Sequence, residues 1–95
     1  MGNKSRPLAL VTGASSGVGV DFARELARQG HDLIVTARRG DRLTALQQEL
    51  QAEFGVRVET LTGDLGTTEG VRRLFVQAEQ LGPVSVLVNN AGFGR

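Results

Sequence analysis

The chain has 95 residues, of which 40% are hydrophobic and 22% are charged. This length and composition predict one small globular domain and argue against a disordered chain. The formal net charge of +1 gives no reason to propose a nucleic-acid partner, and the lack of cysteine excludes disulfides and thiolate chemistry.

Two further classes are disfavoured by the composition. A single histidine without cysteine argues against a structural zinc site. No apolar run approaches the length of a membrane span, and the run at residues 8–11 is too short for a signal peptide. We therefore expect a cytoplasmic protein that does not engage a membrane.

The first predicted elements are a strand, a glycine-rich turn and a helix. Residues 8–11 are apolar without alternation, which is typical of a strand buried on both faces. Residues 12–19 then carry three glycines and two serines. After Gly19 a helix is predicted, ending at Gly30, and its expected apolar face consists of Phe22, Ala23, Leu26 and Ala27.

The next elements repeat this alternation. Residues 33–37 predict a second strand, and residues 41–54 a second helix with Leu43, Leu46, Leu50 and Phe54 on its buried face. Residues 56–62 predict a third strand.

Thr67 is expected to cap a third helix, which stops at Gly82-Pro83. Residues 84–88 then predict a fourth strand. The buried face expected for the third helix consists of Val71, Leu74, Phe75, Ala78 and Leu81.

The element order β-α-β-α-β-α-β predicts a three-layer α/β fold. Strands that alternate with helices pair in parallel through right-handed crossovers. We expect a Rossmann-like doubly wound sheet of strand order 3-2-1-4, which stops after the fourth strand. Residues 1–95 would then form one partial nucleotide-binding domain. Ligand loops are expected where strands one and four end, so residues 13–19 and 89–92 should meet there.

The glycine-rich turn predicts a site for the pyrophosphate of a dinucleotide. Glycines let backbone N–H groups converge on a phosphate, and the following helix directs its positive end at the charge. The spacing Gly13, Gly17, Gly19 is neither G-x-G-x-x-G nor a P-loop. The alternative is a tight strand-to-helix turn with Ser15 or Ser16 as N-cap.

Arg38 and Arg39 follow the second strand, where this fold meets the adenosine ribose. An acidic residue there would bind the 2′-hydroxyl, whereas an arginine accepts a 2′-phosphate. No acidic residue lies within residues 33–39, so the positive charge at the end of this strand favours NADP(H) over NAD(H). Arg38 is the better candidate for the contact with the 2′-phosphate. The alternative is a solvated pair of charges before a helix.

For the other polar residues near these strand ends, the sequence allows more than one interpretation of their role. Asp64 could accept from the adenine amino group beside Leu65, or bond its own turn. The segment 89–92 could tie neighbouring loops through asparagine amides, or be only a turn. His31, at the opposite end of the first helix, is expected to be an exposed loop residue.

Four segments, taken together, resemble the short-chain dehydrogenases/reductases. They are TGASSGVG at residues 12–19, TARR at 36–39, GDL at 63–65 and NNAG at 89–92, and the resemblance spans nearly the whole chain. It implies an oxidoreductase that transfers hydride between a nicotinamide cofactor and a carbonyl or alcohol substrate.

The resemblance also implies a set of cofactor-binding residues. Arg38 would hold the 2′-phosphate, and Asp64 with Leu65 would hold the adenine. Asn89 would act as a strut between strands, outside this set. The remaining residues would line the phosphates and the rest of the nucleotide: Gly13, Ala14, Ser15, Ser16, Gly17, Val18, Gly19, Asn90, Ala91 and Gly92. Some NADP-type members carry a basic residue where this chain has Ser16, so the cofactor prediction rests on Arg38 and the missing acid.

The chain departs from the family in lacking its catalytic residues. Members use a tyrosine, a lysine four residues later and a serine, whereas this chain has no tyrosine and its only lysine is Lys4. We therefore predict no catalytic residue here, no metal, and a substrate pocket and oligomer contacts that depend on polypeptide beyond Arg95. The alternative is a free-standing, non-catalytic dinucleotide-binding module.

Overall fold

A computed structural model describes residues 6–14, 17–38 and 40–90 of the chain. The strands are β1 (Leu8–Thr12), β2 (Asp32–Ala37), β3 (Val58–Thr62) and β4 (Val86–Asn89). The helices are α1 (Gly17–Arg28), α2 (Asp41–Phe54) and α3 (Thr68–Leu81). The predicted element order is thus confirmed, and α2 has the predicted bounds.

The four strands form one parallel sheet of order β3-β2-β1-β4. This confirms the doubly wound topology, because the chain runs outward from β1 to β3 and then crosses to the other side of β1. Side chains of successive strand residues alternate between the two faces. The core therefore has two layers. One packs β-strand residues such as Ala9 and Val35 against α1 and α2, and the other packs Leu10 and Ile34 against α3.

The helix ends follow the predicted chemistry. The Thr67 side chain accepts a hydrogen bond from the Gly70 backbone N–H, as expected of an N-cap. Gly30 and Gly55 follow α1 and α2 with positive φ, and His31 N–H donates to the Leu26 carbonyl across the Gly30 turn. His31 is half-buried, with its Nδ1 3.2 Å from the same carbonyl, so the prediction of an exposed residue is wrong.

Two aromatic residues correct the predicted helix faces. Phe22 is 45% exposed on α1 and Phe75 is 38% exposed on α3, although periodicity assigned both to the core. Each lies at the flank of its helix's buried stripe, where the described residues supply no neighbouring element to cover it. The predicted faces are otherwise buried or half-buried.

Strand bounds differ by one or two residues from the predictions. β1 extends to Thr12, β2 begins at Asp32 and β3 begins only at Val58. β4 is Val86–Asn89 rather than residues 84–88. None of the helices in the described ranges has the length and apolarity needed to cross a bilayer.

Candidate functional site

The candidate site lies where β1 and β4 end side by side. Thr12 pairs in register with Asn89, so the residues that leave these strands, Gly13 and Asn90, emerge at one edge of the sheet. This is the switch point of the doubly wound order, where α/β sheets bind ligands. The predicted meeting of the two loops is therefore confirmed for the residues that the structure describes. Ser15, Ser16, Ala91 and Gly92 lie outside those residues, as does Arg39.

Thr12 connects the two strands through its side chain. Its hydroxyl accepts a hydrogen bond of 2.9 Å from the Asn90 backbone N–H. Its oxygen also lies 3.3 Å from the Val88 carbonyl and 3.1 Å from Asn89 Oδ1, to which it can donate its proton. Thr12 is only 3% exposed, so the hydroxyl that makes these bonds belongs to a buried side chain. The Asn89 contact agrees with the strut that the resemblance implies.

Asn90 connects the β4 exit to the glycine-rich turn. Its Nδ2 donates to the Gly13 carbonyl at 3.1 Å. Gly19, in the first turn of α1, packs beneath this contact. A Cβ placed on Gly19 would lie 2.2 Å from the Gly13 oxygen and 2.9 Å from Asn90 Nδ2. Only glycine therefore fits at position 19 while the turn keeps this form.

The turn delivers the N-terminus of α1 to this edge of the sheet. Gly13 and Gly17 have φ of +68° and +53°, which other residues rarely adopt. The first turn of α1 contains no acidic residue, so nothing there neutralises the positive end of the helix. Ala14 is fully buried and its N–H donates to the Thr36 carbonyl, which fixes the turn against β2. Val18 points outward and is 58% exposed.

Arg38 is the first residue after β2 at the same edge. The β2 end is held on both sides, because Thr36 accepts from Ala14 and the Ala37 carbonyl accepts from the Gly63 N–H. Arg38 itself is exposed, and within the described residues its side chain makes no ion pair. The structure thus presents an uncompensated guanidinium on a fixed backbone beside the glycine-rich turn.

Asp64 and Leu65 leave β3 at this edge as well. Asp64 Oδ1 accepts a hydrogen bond from the Gly66 N–H at 2.8 Å. This is the bond expected if Asp64 stabilises its own turn, the alternative to a contact with adenine. Leu65 is half-buried. Asp64 also lines a concave pocket of about 260 Å³ between the β3 exit and α3, with Thr62, Thr67, Glu69 and Arg73 among its other lining residues.

Sequence reasoning missed the bonds that hold the site together. The Thr12 hydroxyl network and the Asn90–Gly13 bond join residues more than 75 positions apart. The only available signal was the run of small polar residues after two apolar strands. That signal predicts a loop but not its partner.

Comparison with known proteins agrees with this geometry. A protein-family model with the description short chain dehydrogenase matches residues 7–95 of this chain. A very-long-chain 3-oxoacyl-CoA reductase of Candida glabrata is 36% identical over 93 residues, which cover 96% of this chain and 26% of that protein.

Two solved structures share the fold closely. A short-chain dehydrogenase from Sphingobium yanoikuyae in complex with NADPH superimposes with a TM-score of 0.84 and 40% identity, covering 94% of this chain and 35% of that one. An alcohol dehydrogenase from Thermococcus sibiricus complexed with 5-hydroxy-NADP gives 0.88 and 41%, covering 95% and 39%. The chain thus spans well under half the length of these relatives. Because the family match extends over nearly all of its residues, the chain belongs to the short chain dehydrogenase family.

Proposed function

We propose that residues 1–95 form the NADP(H)-binding part of a short-chain dehydrogenase/reductase, as one partial nucleotide-binding domain. The observation that carries this proposal is the contact of Gly19 with the Gly13 carbonyl beneath Asn90. It holds the N-terminus of α1 at the junction of β1 and β4. The complete enzyme would transfer hydride between the cofactor and a carbonyl or alcohol substrate.

The glycine-rich turn would bind the pyrophosphate. A diphosphate needs backbone N–H groups, room close to the main chain and positive potential. The turn offers all three, since its glycines carry no side chain and the first turn of α1 has no acid. The proposed phosphate and ribose ligands are Gly13, Ala14, Ser15, Ser16, Gly17, Val18 and Gly19.

Arg38 would select NADP(H) by pairing with the 2′-phosphate. A guanidinium binds phosphate through paired, charge-assisted hydrogen bonds. Arg38 supports this role because it is exposed at the β2 end, and no acidic residue of positions 33–39 opposes a phosphate there. The NADPH and 5-hydroxy-NADP held by the two solved relatives agree with the same choice.

The adenine and the rest of the nucleotide would lie across the neighbouring strand ends. Asp64 would accept from the adenine amino group through an oxygen left over from its turn bond, with Leu65 beside the ring. Asn90, Ala91 and Gly92 would border the nucleotide at the β4 exit. The bonds from Asn90 to Thr12 and Gly13 support this placement, because they orient the start of that loop.

The cofactor would supply the hydride, but the reaction also needs a proton donor beside the substrate oxygen. This chain has no tyrosine, and its only lysine is Lys4. We therefore assign no catalytic residue within it. The proton donor and the substrate pocket would be supplied by polypeptide that the longer relatives carry and these residues do not include. We expect residues 1–95 alone not to turn substrate over.

An exchange of charge at Arg38 tests the cofactor assignment. Arg38→Asp should abolish the preference for NADPH over NADH, because a carboxylate repels a 2′-phosphate and can bind a 2′-hydroxyl. The measurement is the Kd for both cofactors, by quenching or enhancement of nicotinamide fluorescence. Arg72→Asp is the matched control, since Arg72 is an exposed arginine on the outer side of α3. An unaltered preference in Arg38→Asp would show that the assignment is wrong.

Thermal unfolding with and without NADPH separates the enzyme part from the alternative, a self-sufficient binding module. A ligand that binds only the folded state raises the transition temperature. A cooperative transition shifted by NADPH would support a unit that folds and binds alone. Loss of a cooperative transition would instead support a part that depends on the rest of its enzyme.

A further inference from the structure

The loop that leaves β3 is packed against the first turn of α3 through a contact that leaves no room for a side chain. A Cβ placed on Gly70 would lie 1.9 Å from the Asp64 carbonyl oxygen, whereas ordinary contact begins at 3.4 Å. The opposing atom belongs to the backbone, so no side-chain rotation can relieve the clash. Gly70 is itself fixed by the helix cap, since its N–H donates to Thr67 Oγ1 at 2.9 Å. The position of the Asp64 backbone therefore depends on the absence of a side chain at residue 70.

The same kind of contact occurs at the start of α1. Gly19 is the third residue of α1 and lies under the Gly13 carbonyl, and Gly70 is the third residue of α3 and lies under the Asp64 carbonyl. In both places a glycine in the first helical turn lets the helix pack closely against the residues that leave the preceding strand. At α1 this packing holds the turn proposed to bind the pyrophosphate. At α3 it holds the residue proposed to contact adenine.

The charges at the start of α3 favour a ligand group that donates hydrogen bonds. The first turn of α1 carries no acidic residue, whereas the first turn of α3 carries Glu69. Glu69 pairs with Arg73 at 3.5 Å, but the Asp64 carboxylate makes no ion pair with any residue that the structure describes. An uncompensated carboxylate repels a phosphate and accepts from an amino group such as that of adenine.

The Asp64 carboxylate is exposed and is held through one of its two oxygens. Oδ1 accepts from the Gly66 N–H at 2.8 Å, which leaves Oδ2 for a ligand. Asp64 and Gly70 both line the pocket of about 260 Å³ at the β3 exit. The close contact between α3 and the loop therefore forms part of the wall of a concave space, and the carboxylate lies at that wall.

We infer that Gly70 is a positioning residue for recognition of the adenine amino group, and that it acts through Asp64. This role rests on the proposed cofactor function, and it needs no contact between Gly70 and the nucleotide. A side chain at residue 70 must push the Asp64 carbonyl away by more than 1 Å. Hydrogen-bond distances in proteins vary by only a few tenths of an ångström, so the displaced carboxylate should lose its bond to the amino group. Arg38 and the glycine-rich turn lie at other strand ends and should keep their contacts.

The test compares NADPH with the analogue in which hypoxanthine replaces adenine. Hypoxanthine presents a carbonyl oxygen where adenine has its amino group, so it cannot donate to Asp64 at that position. The Kd of the 95-residue chain for each compound is measured by nicotinamide fluorescence. The wild-type chain should prefer NADPH by roughly tenfold, as expected for a hydrogen bond to a charged group. Gly70→Ala should bring the two Kd values to within about twofold of each other, whereas a loss of stability alone would leave their ratio unchanged.

Two further variants make the comparison specific. Gly63→Ala is the matched control, because it adds the same methyl group to the same loop but meets only Leu74 at 4.0 Å, an ordinary contact. It should keep the wild-type ratio of Kd values. Thr67→Ala removes the hydroxyl that fixes Gly70 and adds no atom, so it should also lower the ratio. Thr67→Ala decides the question if Gly70→Ala does not show a folded circular dichroism spectrum.

Asp64→Ala separates the role of Gly70 from the proposed function. A ratio that is lost in Asp64→Ala and Gly70→Ala but kept in Gly63→Ala is the expected result. A ratio lost in Asp64→Ala but kept in Gly70→Ala, or in Thr67→Ala if that variant decides, would overturn the role of Gly70 alone. An equal loss in Gly63→Ala would overturn it too. If the wild-type chain shows no preference, or if Asp64→Ala retains it, the proposed adenine contact is wrong and the role of Gly70 falls with it.

Discussion

Gly19→Ala is the perturbation that most directly challenges the geometry of the site. The added Cβ would meet the Gly13 oxygen at 2.2 Å, whereas ordinary contact begins at 3.4 Å. The turn and α1 must therefore separate by more than 1 Å. Asn90 Nδ2 would also be approached at 2.9 Å, so its bond to the Gly13 carbonyl is strained or lost.

Three contributions change the free energy of unfolding, two that lower it and one that raises it. Overpacking of this kind costs about 1–3 kcal/mol, and the lost hydrogen bond costs about 1 kcal/mol. The higher helix propensity of alanine offsets about 1 kcal/mol. The free energy of unfolding should therefore fall by roughly 1–3 kcal/mol, which for a chain of this size lowers Tm by about 5–20 °C.

The same displacement should weaken cofactor binding. If the phosphate-binding N–H groups move with the turn, the Kd for NADPH should rise at least about tenfold, which corresponds to 1.4 kcal/mol. The assay is calorimetric titration with NADPH, paired with thermal unfolding of the same preparation.

Gly55→Ala separates stability from binding. Gly55 has φ of +70° with no atom near its missing Cβ, so alanine there is strained by about 1–2 kcal/mol without touching the site. It should lower Tm and leave the Kd for NADPH unchanged. The reasoning fails if Gly19→Ala retains both its Tm and its Kd, or if Gly55→Ala weakens NADPH binding as much.

Three further predictions concern stability. Thr12→Val removes the hydroxyl that joins the β1 and β4 ends and should lower the free energy of unfolding by about 1–3 kcal/mol in denaturant titration. Thr36→Val should leave stability unchanged or raise it, by up to about 1–2 kcal/mol, because no residue that the structure describes makes a hydrogen bond to the buried Thr36 hydroxyl; a fall in Tm would contradict this. Hydrogen bonds from Arg28 and then Gln29 lower the pKa of the Glu25 carboxyl from its ordinary value of 4.5 to about 2. The stability that Glu25 contributes is therefore present above pH 4.5 and lost as the pH falls toward 2. Glu25→Gln should flatten the acid limb of a plot of Tm against pH, and an unchanged limb would refute the assignment.

Local chemistry explains which parts of the fold the sequence predicted. α2 was predicted with its observed bounds because Leu43, Leu46 and Leu50 repeat at helical spacing and Gly55 ends the helix. The strand order followed from the alternation of strands and helices, which leaves few topologies. Both inferences depend on neighbours in sequence, or on rules that hold for any chain with this element order.

The errors occurred where a neighbour in space decides the outcome. Phe22 and Phe75 have the periodicity of core residues, yet each lies on a flank that the described elements leave uncovered. The start of β3 could not be predicted either, because Gln47 and Gln51 of α2 bind Val58, the residue at which the strand begins. Periodicity predicts that a face is apolar but not what packs against it.

The candidate site divides in the same way. The glycine-rich turn and the position of Arg38 could be predicted because each comes directly after a strand in the sequence. The Thr12–Asn90 and Asn90–Gly13 bonds were not, since they depend on how β4 is placed beside β1. These non-local bonds fix the turn that the motif only suggests.

Nitrogen-15 NMR of the labelled chain during NADPH titration tests most directly whether the turn after β1 holds the cofactor's pyrophosphate. The account predicts that the backbone amides of Gly13, Gly17 and Gly19 shift together with increasing NADPH. The amide of Gly55, which follows the C-terminus of α2, should not move. Saturating NADPH that leaves the three turn glycines unshifted, or shifts that map to Gly55 instead, would contradict the account.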